Sequence, residues 1–310
     1  MSRIEEALRQ AGRKTPAASD VDPGAGLANF PAAPAEYDAA FVADRPAATV
    51  AIEKVPITPE TISVPAERLV THKNSDSVVV EQYRKLAGVL HHAQVDRGVK
   101  VVMLASAQTA EGKTLTAVNL ALTLSESYKR NVLLIDADLR RPSVGRVFGL
   151  PSSSGLSECL KSSELQALRI THVTDSLGLL LAGRADNDPM SGLTSGRMQE
   201  IIEQAAAGFD WVIIDTPPVG LLTDAHLLAA MVDAAVLVID AGTTQHAVIQ
   251  RAIETIGRAK IVGVVLNRVE PRALEEASHY KYYGDSPRTK RRRKYFPGRA
   301  VVADTPETAQ

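Results

Sequence analysis

The chain has 310 residues, with 35 Lys+Arg against 36 Asp+Glu and a formal net charge of −1. That balance supplies no global field for nucleic acid or for an acidic substrate, so no nucleic-acid partner is expected. The single cysteine, Cys159, excludes an intrachain disulfide and reads as a small buried apolar residue.

Residues 1–14 read as a short amphipathic helix, with Ile4, Ala7, Leu8 and Ala11 on one face. It serves either as a docking peptide or as a frayed end. The start carries no signal-peptide apolar stretch, and no charge-free apolar run approaches the ~18 residues of a bilayer span. The expectation is a soluble, cytoplasmic chain that meets the inner face of the membrane only through a partner or a surface patch. Residues 15–75 read as a disordered linker rich in Pro and Ala. Eight of the seventeen prolines fall between Thr15 and Pro65, and no period is sustained there.

Residues 76–274 read as one domain. A helix is predicted over 76–94, with Val79, Tyr83, Leu86 and Leu90 on its apolar face. Short apolar runs follow at 100–105, 131–135, 177–182, 211–214, 234–239 and 261–266. Helical patterns lie between most of them, at 113–128, 195–207, 223–231 and 244–259. Strands apolar on both faces, alternating with helices, predict a doubly wound α/β fold around a mostly parallel sheet. After Glu270 the apolar period fails. The tail, 275–310, carries Tyr280, Tyr282 and Tyr283, then six basic residues among the seven of 288–294, then Tyr295. The histidines, including His91 and His92, show no metal-ligand spacing and read as structural.

The chemistry gathers at the strand ends. Val101-Val102-Met103-Leu104 runs into Ala105-Ser106-Ala107-Gln108-Thr109-Ala110-Glu111-Gly112-Lys113-Thr114 and then a helix, which is a Walker A loop in its required context. Backbone amides of 110–114 and the helix N-terminus suit a β-phosphate. Lys113 supplies a point charge for the β/γ oxygens, Thr114 offers Mg²⁺ a hard oxygen, and Gly112 permits close approach. The pattern departs from the general one at Ala107, which replaces its first glycine. Asp136 and Asp138 end the next strand and Asp215 ends another. Carboxyl ends of parallel strands share one edge, so the three acids are expected to converge on the loop as Mg²⁺ and water ligands. For any one of them, an N-cap or turn role is the other reading.

With Leu134-Ile135-Asp136-Ala137-Asp138-Leu139-Arg140-Arg141-Pro142 and Ile213-Ile214-Asp215-Thr216-Pro217-Pro218 on the page, the chain resembles the bacterial tyrosine autokinases. The likeness is to the cytoplasmic CpsD/CapB type of capsule and exopolysaccharide systems, and it covers roughly residues 76–283. Phe148-Gly149-Leu150, Leu222-Thr223-Asp224-Ala225 and Gly263-Val264-Val265-Leu266-Asn267-Arg268 belong to it. The N-terminal helix and Pro/Ala linker are similar to autokinases associated with exosortase-linked loci.

The resemblance implies a P-loop fold of the deviant Walker (MinD/ParA-like) type. It implies ATP- and Mg²⁺-dependent phosphorylation of Tyr280, Tyr282, Tyr283 and Tyr295 between subunits of a ring, under a transmembrane chain-length activator. On it, Lys113, Asp136, Asp138 and Asp215 are catalytic, with Thr114 and the three acids at the metal. Ala110, Glu111, Gly112, Lys113, Thr114 and Leu115 hold phosphates, and Asn267 and Arg268 lie on the base side; for the Asn267 amide, a capping role is the other reading. The family's Glu-x-x-Arg-x-x-Arg ring contact reads Glu81, Arg84 and then Ala87. Thr109-Ala110 stands where Pro-Gly is usual, and Ala110 narrows the φ range of the loop.

Two other functions compete. A positioning ATPase of the ParA/MinD kind would carry an extra lysine near the loop start, where this chain has Gln108. A nucleotide-gated regulator of polysaccharide assembly, without kinase activity, would bind but not transfer. For the kinase, Asp136 or Asp138 takes the tyrosine proton. The basic run before Tyr295 matches an anionic lipid surface or a solvated charge run equally well.

Overall fold

The computed structural model describes residues 52–56, 69–70, 78–151, 154–162, 168–220 and 223–269. The expected helix over 1–14 and the tyrosine and basic tail lie outside the described residues.

Eight strands form one sheet: β1 (Ile52–Pro56), β2 (Val101–Ser106), β3 (Val132–Asp136), β4 (Leu168–Thr174), β5 (Leu177–Leu180), β6 (Trp211–Asp215), β7 (Ala234–Asp240) and β8 (Ile261–Asn267). Their order is β1-β4-β5-β3-β6-β2-β7-β8. Every pair is parallel except β4 with β5. Helices α1 (Val78–Arg97), α2 (Lys113–Glu126), α3 (Val144–Val147), α4 (Leu156–Lys161), α5 (Met190–Leu193), α6 (Arg197–Gly208), α7 (Thr223–Met231) and α8 (His246–Ile256) connect them. The doubly wound, mostly parallel fold is as the sequence predicts.

Strands β2, β3, β6 and β7 are buried along their whole length. Alternate residues feed two cores, because successive side chains leave a strand on opposite faces. Met103, Leu133, Ile214 and Leu237 pack with Ile201 of α6, Leu228 of α7 and Ile253 of α8. Leu104, Leu134, Ile213 and Val236 pack with Leu90 of α1 and with Leu120 and Leu124 of α2. Tyr128 closes the second layer at the surface: its hydroxyl donates to the Arg84 carbonyl at 3.0 Å.

Two strands correct the sequence reading. β1 lies inside the stretch read as a linker and pairs in parallel with β4. Its Ile-Glu-Lys-Val-Pro sequence gives no apolar run, as is common at a sheet edge, where charge and proline are tolerated. Further along that stretch Leu69 is buried and the Val70 amide donates to Asn119 Oδ1 at 2.9 Å. β4 was not anticipated either, because only Leu168 and Ile170 of its seven residues are fully buried. Cys159 is buried, as expected.

Candidate active site

The site is built where β2, β3 and β6 end. Register places Asp136 directly across from Asp215, and Leu104 across from Asp215 on the other side. The loop after β2 therefore begins beside two carboxylates. Val219 N donates to Ser106 O at 2.9 Å, so the segment after β6 runs close under the loop. A Cβ on Gly220 would lie 2.5 Å from the Ala107 carbonyl, which leaves glycine as the residue that fits.

The loop enters α2 through Gly112, at φ 91 and ψ 15, with no side chain capping the helix. Gly112 offers the first turn of α2 no side-chain cap, the arrangement that suits a phosphate. A Cβ at Gly112 would meet Asn267 Nδ2 at 1.9 Å, so this glycine answers to packing as well as to φ. Ala110 holds φ 62, a left-handed value that crowds an alanine Cβ.

Lys113 Nζ lies 2.5 Å from Asp215 Oδ1, with the lysine nearly buried and the aspartate fully so. The other oxygen, Asp215 Oδ2, is buried without a hydrogen-bond partner. Asp136 Oδ2 accepts the Ser143 and Val144 amides, both at 2.9 Å. Burial first, then the neighbouring Asp215, pushes the Asp136 carboxyl up to about 7, against the pull of those amides and of Lys113. Asp138 accepts from Arg141 N at 3.1 Å, and burial raises its carboxyl above the usual range. Thr114 Oγ1 is 2.8 Å from Ser143 Oγ, which sets two hydroxyls together at the loop.

The three acids do share one edge, but they do not form a cage. Among the described residues no group of three His, Cys, Asp or Glu side chains is placed to hold an ion. Mg²⁺ suits such a site, since it keeps waters and takes one or two carboxylates plus substrate phosphates. The partnerless oxygen of Asp215 and the hydroxyl of Thr114 are the donors that fit it.

Several partnerships at the site escaped the sequence reading, although Glu111, Asn267 and Arg268 themselves were named there. Arg140 grips Asp224 through Nε at 2.6 Å and Nη2 at 3.2 Å, and donates from Nη1 to Asn187 O at 2.7 Å. It ties the loop bearing Asp138 to α7. Glu111, buried, accepts from Gln108 N at 2.8 Å and from the Thr244 hydroxyl. Asn267 donates to Glu111 O, and Arg268 to Ala110 O, both at 2.8 Å. The base-side pair of the sequence reading thus also holds the back of the loop. Ser143 alone carried a local signal, a serine at a helix start; the others meet only in the fold.

Residues 98–295 match the ParA family, described as NUBPL iron-transfer P-loop NTPase. The chain is 39% identical over 208 residues to the tyrosine-protein kinase YwqD of Bacillus subtilis, covering 66% of this chain and 86% of that one. It is 31% identical over 199 residues to the tyrosine-protein kinase CpsD of Streptococcus agalactiae, covering 63% and 85%. The kinase domain of the Escherichia coli tyrosine kinase ETK superposes with a TM-score of 0.62 at 27% identity, over 71% of this chain and 89% of that one. The iron-transfer description fits the fold rather than the chemistry, because iron–sulfur ligation draws on several thiolates and this sequence has one buried cysteine. The match runs over most of both chains and is carried by the same fold: the chain belongs to the bacterial tyrosine-protein kinases, within the ParA-like P-loop NTPases.

Proposed function

We propose that the chain is an Mg-ATP-dependent autokinase that phosphorylates Tyr280, Tyr282, Tyr283 and Tyr295 of a neighbouring copy, in the service of capsule or exopolysaccharide assembly. The observation that carries this is the buried Lys113–Asp215 pair beside an uncapped helix N-terminus, with one Asp215 oxygen unpartnered. A bound ion would be held by Thr114 and the acids, and would supply neutralisation of the charge on the transferring phosphoryl group. Lys113 would turn from Asp215 to the phosphates, adding a fixed positive charge where negative charge develops.

Asp138 is the better placed of the two candidate bases. It is the most open of the three acids, whereas Asp136 lies deeper and commits an oxygen to two amides. A carboxylate raised by burial also accepts a proton more readily. Asp138→Asn should remove the acidic limb of the pH–rate profile; an unchanged limb would exclude it as the base.

Transfer between copies requires an interface, and α1 has the surface for one. Glu81 and Arg84 face solvent and approach each other at 3.7 Å. The three exposed large hydrophobic residues found among the described residues, Val78, Val79 and Val95, all lie on this helix. Ala87 is fully buried, so the position of the family's last arginine serves the core here. Reversal of charge at Glu81 and Arg84 should lower the oligomeric mass in light scattering; an unchanged mass would move the interface elsewhere.

No helix among the described residues is long and apolar enough to cross a membrane. Activation by the cytosolic end of a transmembrane chain-length protein follows from the resemblance, and full activity without such a peptide would count against it. Membership of the exosortase-associated subgroup rests on the first 75 residues; truncating 1–51, which spares β1 and the buried Leu69, should leave phosphotransfer intact while removing recruitment. The basic run at 288–294 is proposed to hold anionic lipid until the nearby tyrosines are phosphorylated. Equal liposome flotation of both forms would remove that role. The direct test of the activity is an anti-phosphotyrosine blot of the purified chain with and without Mg-ATP. A blank blot in the presence of an activator peptide would leave the regulator reading in its place.

A further inference from the structure

The described residues include three non-glycine positions with positive φ, and two of them, Ala110 at 62 and Arg268 at 56, meet across one hydrogen bond. Arg268 Nη2 donates to Ala110 O at 2.8 Å, while Nη1 pairs with Asp240 Oδ2 at 2.5 Å. Asn267, one residue earlier, holds the Glu111 carbonyl at 2.8 Å. Consecutive carbonyls of the phosphate loop are thus gripped from the end of β8, and Asp240 at the end of β7 anchors the grip. A left-handed alanine is strained, and such residues persist where their surroundings over-determine them.

We propose that Arg268 is a positioning residue for the phosphate loop: braced by Asp240, its guanidinium fixes the Ala110 carbonyl and keeps the left-handed turn that leads into Gly112 and the open end of α2. The proposal rests on the nucleotide-binding reading of this loop and adds how its shape is maintained. Two contacts from one rigid planar group are what arginine can make and lysine cannot reproduce. The residue that replaces the family's usual glycine therefore acquires a partner elsewhere in the chain to hold it.

The test compares Arg268→Met in two backgrounds of the full chain, wild type and Ala110→Gly. Affinity for a fluorescent ATP analogue with Mg²⁺ and amide hydrogen exchange over 108–112 without nucleotide are both measured. In the wild-type background Arg268→Met should weaken binding on the order of tenfold and speed exchange, with KM for ATP rising more than kcat falls. In the Ala110→Gly background the loss should shrink to about threefold or less, because glycine holds positive φ unaided. An equal loss in both backgrounds, or exchange that does not change, would overturn the proposal and make Arg268 a direct nucleotide contact. If the parent chain bound no nucleotide, the binding reading would fail by itself, and the exchange comparison would still judge the grip. Should Arg268→Met not fold, Arg268→Lys, which keeps a charge for Asp240 but loses the fork, is compared across the same backgrounds with the same outcomes.

Discussion

Lys113 is usually thought of through its ligand, but without nucleotide it is one half of a buried ion pair with Asp215. Lys113→Met should therefore cost stability as well as phosphotransfer. The lysine side chain is 8% exposed and the aspartate 0%, so solvent screens neither. Removing one partner leaves a buried carboxylate whose second oxygen already lacks a hydrogen bond. Breaking such a pair costs about 3–5 kcal/mol, which for a domain of this size is a fall in Tm of roughly 10 °C. Removing both charges leaves a neutral buried amide in place of an orphaned charge, so Lys113→Met/Asp215→Asn should recover part of that loss, ending about 1–3 kcal/mol below the parent. Urea unfolding without nucleotide reads this through Trp211, the single tryptophan, buried at the first position of β6. If the single variant is as stable as the parent, or the double variant no more stable than the single, the pair does not hold the nucleotide-free site together.

The remaining predictions concern neighbouring groups. The Asp136 carboxyl sits at about 7 when folded against 3.8 as its ordinary value. Between those values the folded chain keeps a proton that the unfolded chain has released, so stability falls as pH rises through that window and the penalty is complete above it. Asp136→Asn should accordingly gain stability relative to the parent at pH 8 and little at pH 4, measured by urea unfolding without nucleotide; equal effects at both would contradict the raised carboxyl. Arg140→Ala strips a bidentate partner from the buried Asp224 and should cost about 2–4 kcal/mol in the same assay. A change under about 0.5 kcal/mol would mean that the clamp is not formed in solution.

The parts of the fold that the sequence displays are those buried on both faces. β2, β3, β6 and β7 carry unbroken apolar runs because each residue meets one core or the other. β1 and β4 carry Glu, Lys, Arg and His and gave no such signal, being near or at the edge. Lys113, Asp136 and Asp215 were legible because a phosphate loop and strand-end acids are local patterns. The partners that shape them were not: Arg140 and Asp224 are 84 residues apart, and Arg268 and Ala110 are 158 apart. Ala110 stood out in the sequence as a departure, but its left-handed φ and the arginine that meets it belong to tertiary structure.

The most direct measurement of the central claim mixes two chains. Lys113→Met/Asp215→Asn supplies an inactive protein with an intact tail, and active protein truncated after Pro271 supplies a site without tail tyrosines. After incubation with Mg-ATP and an activator peptide, phosphate is mapped by mass spectrometry. Phosphate on Tyr280, Tyr282 or Tyr283 of the inactive chain is the predicted result, and it should disappear when the truncated protein also carries Lys113→Met. A tail that stays unmodified while the intact parent labels itself at a concentration-independent rate would contradict transfer between copies. A parent that takes up no phosphate on any tyrosine would contradict the autokinase reading itself.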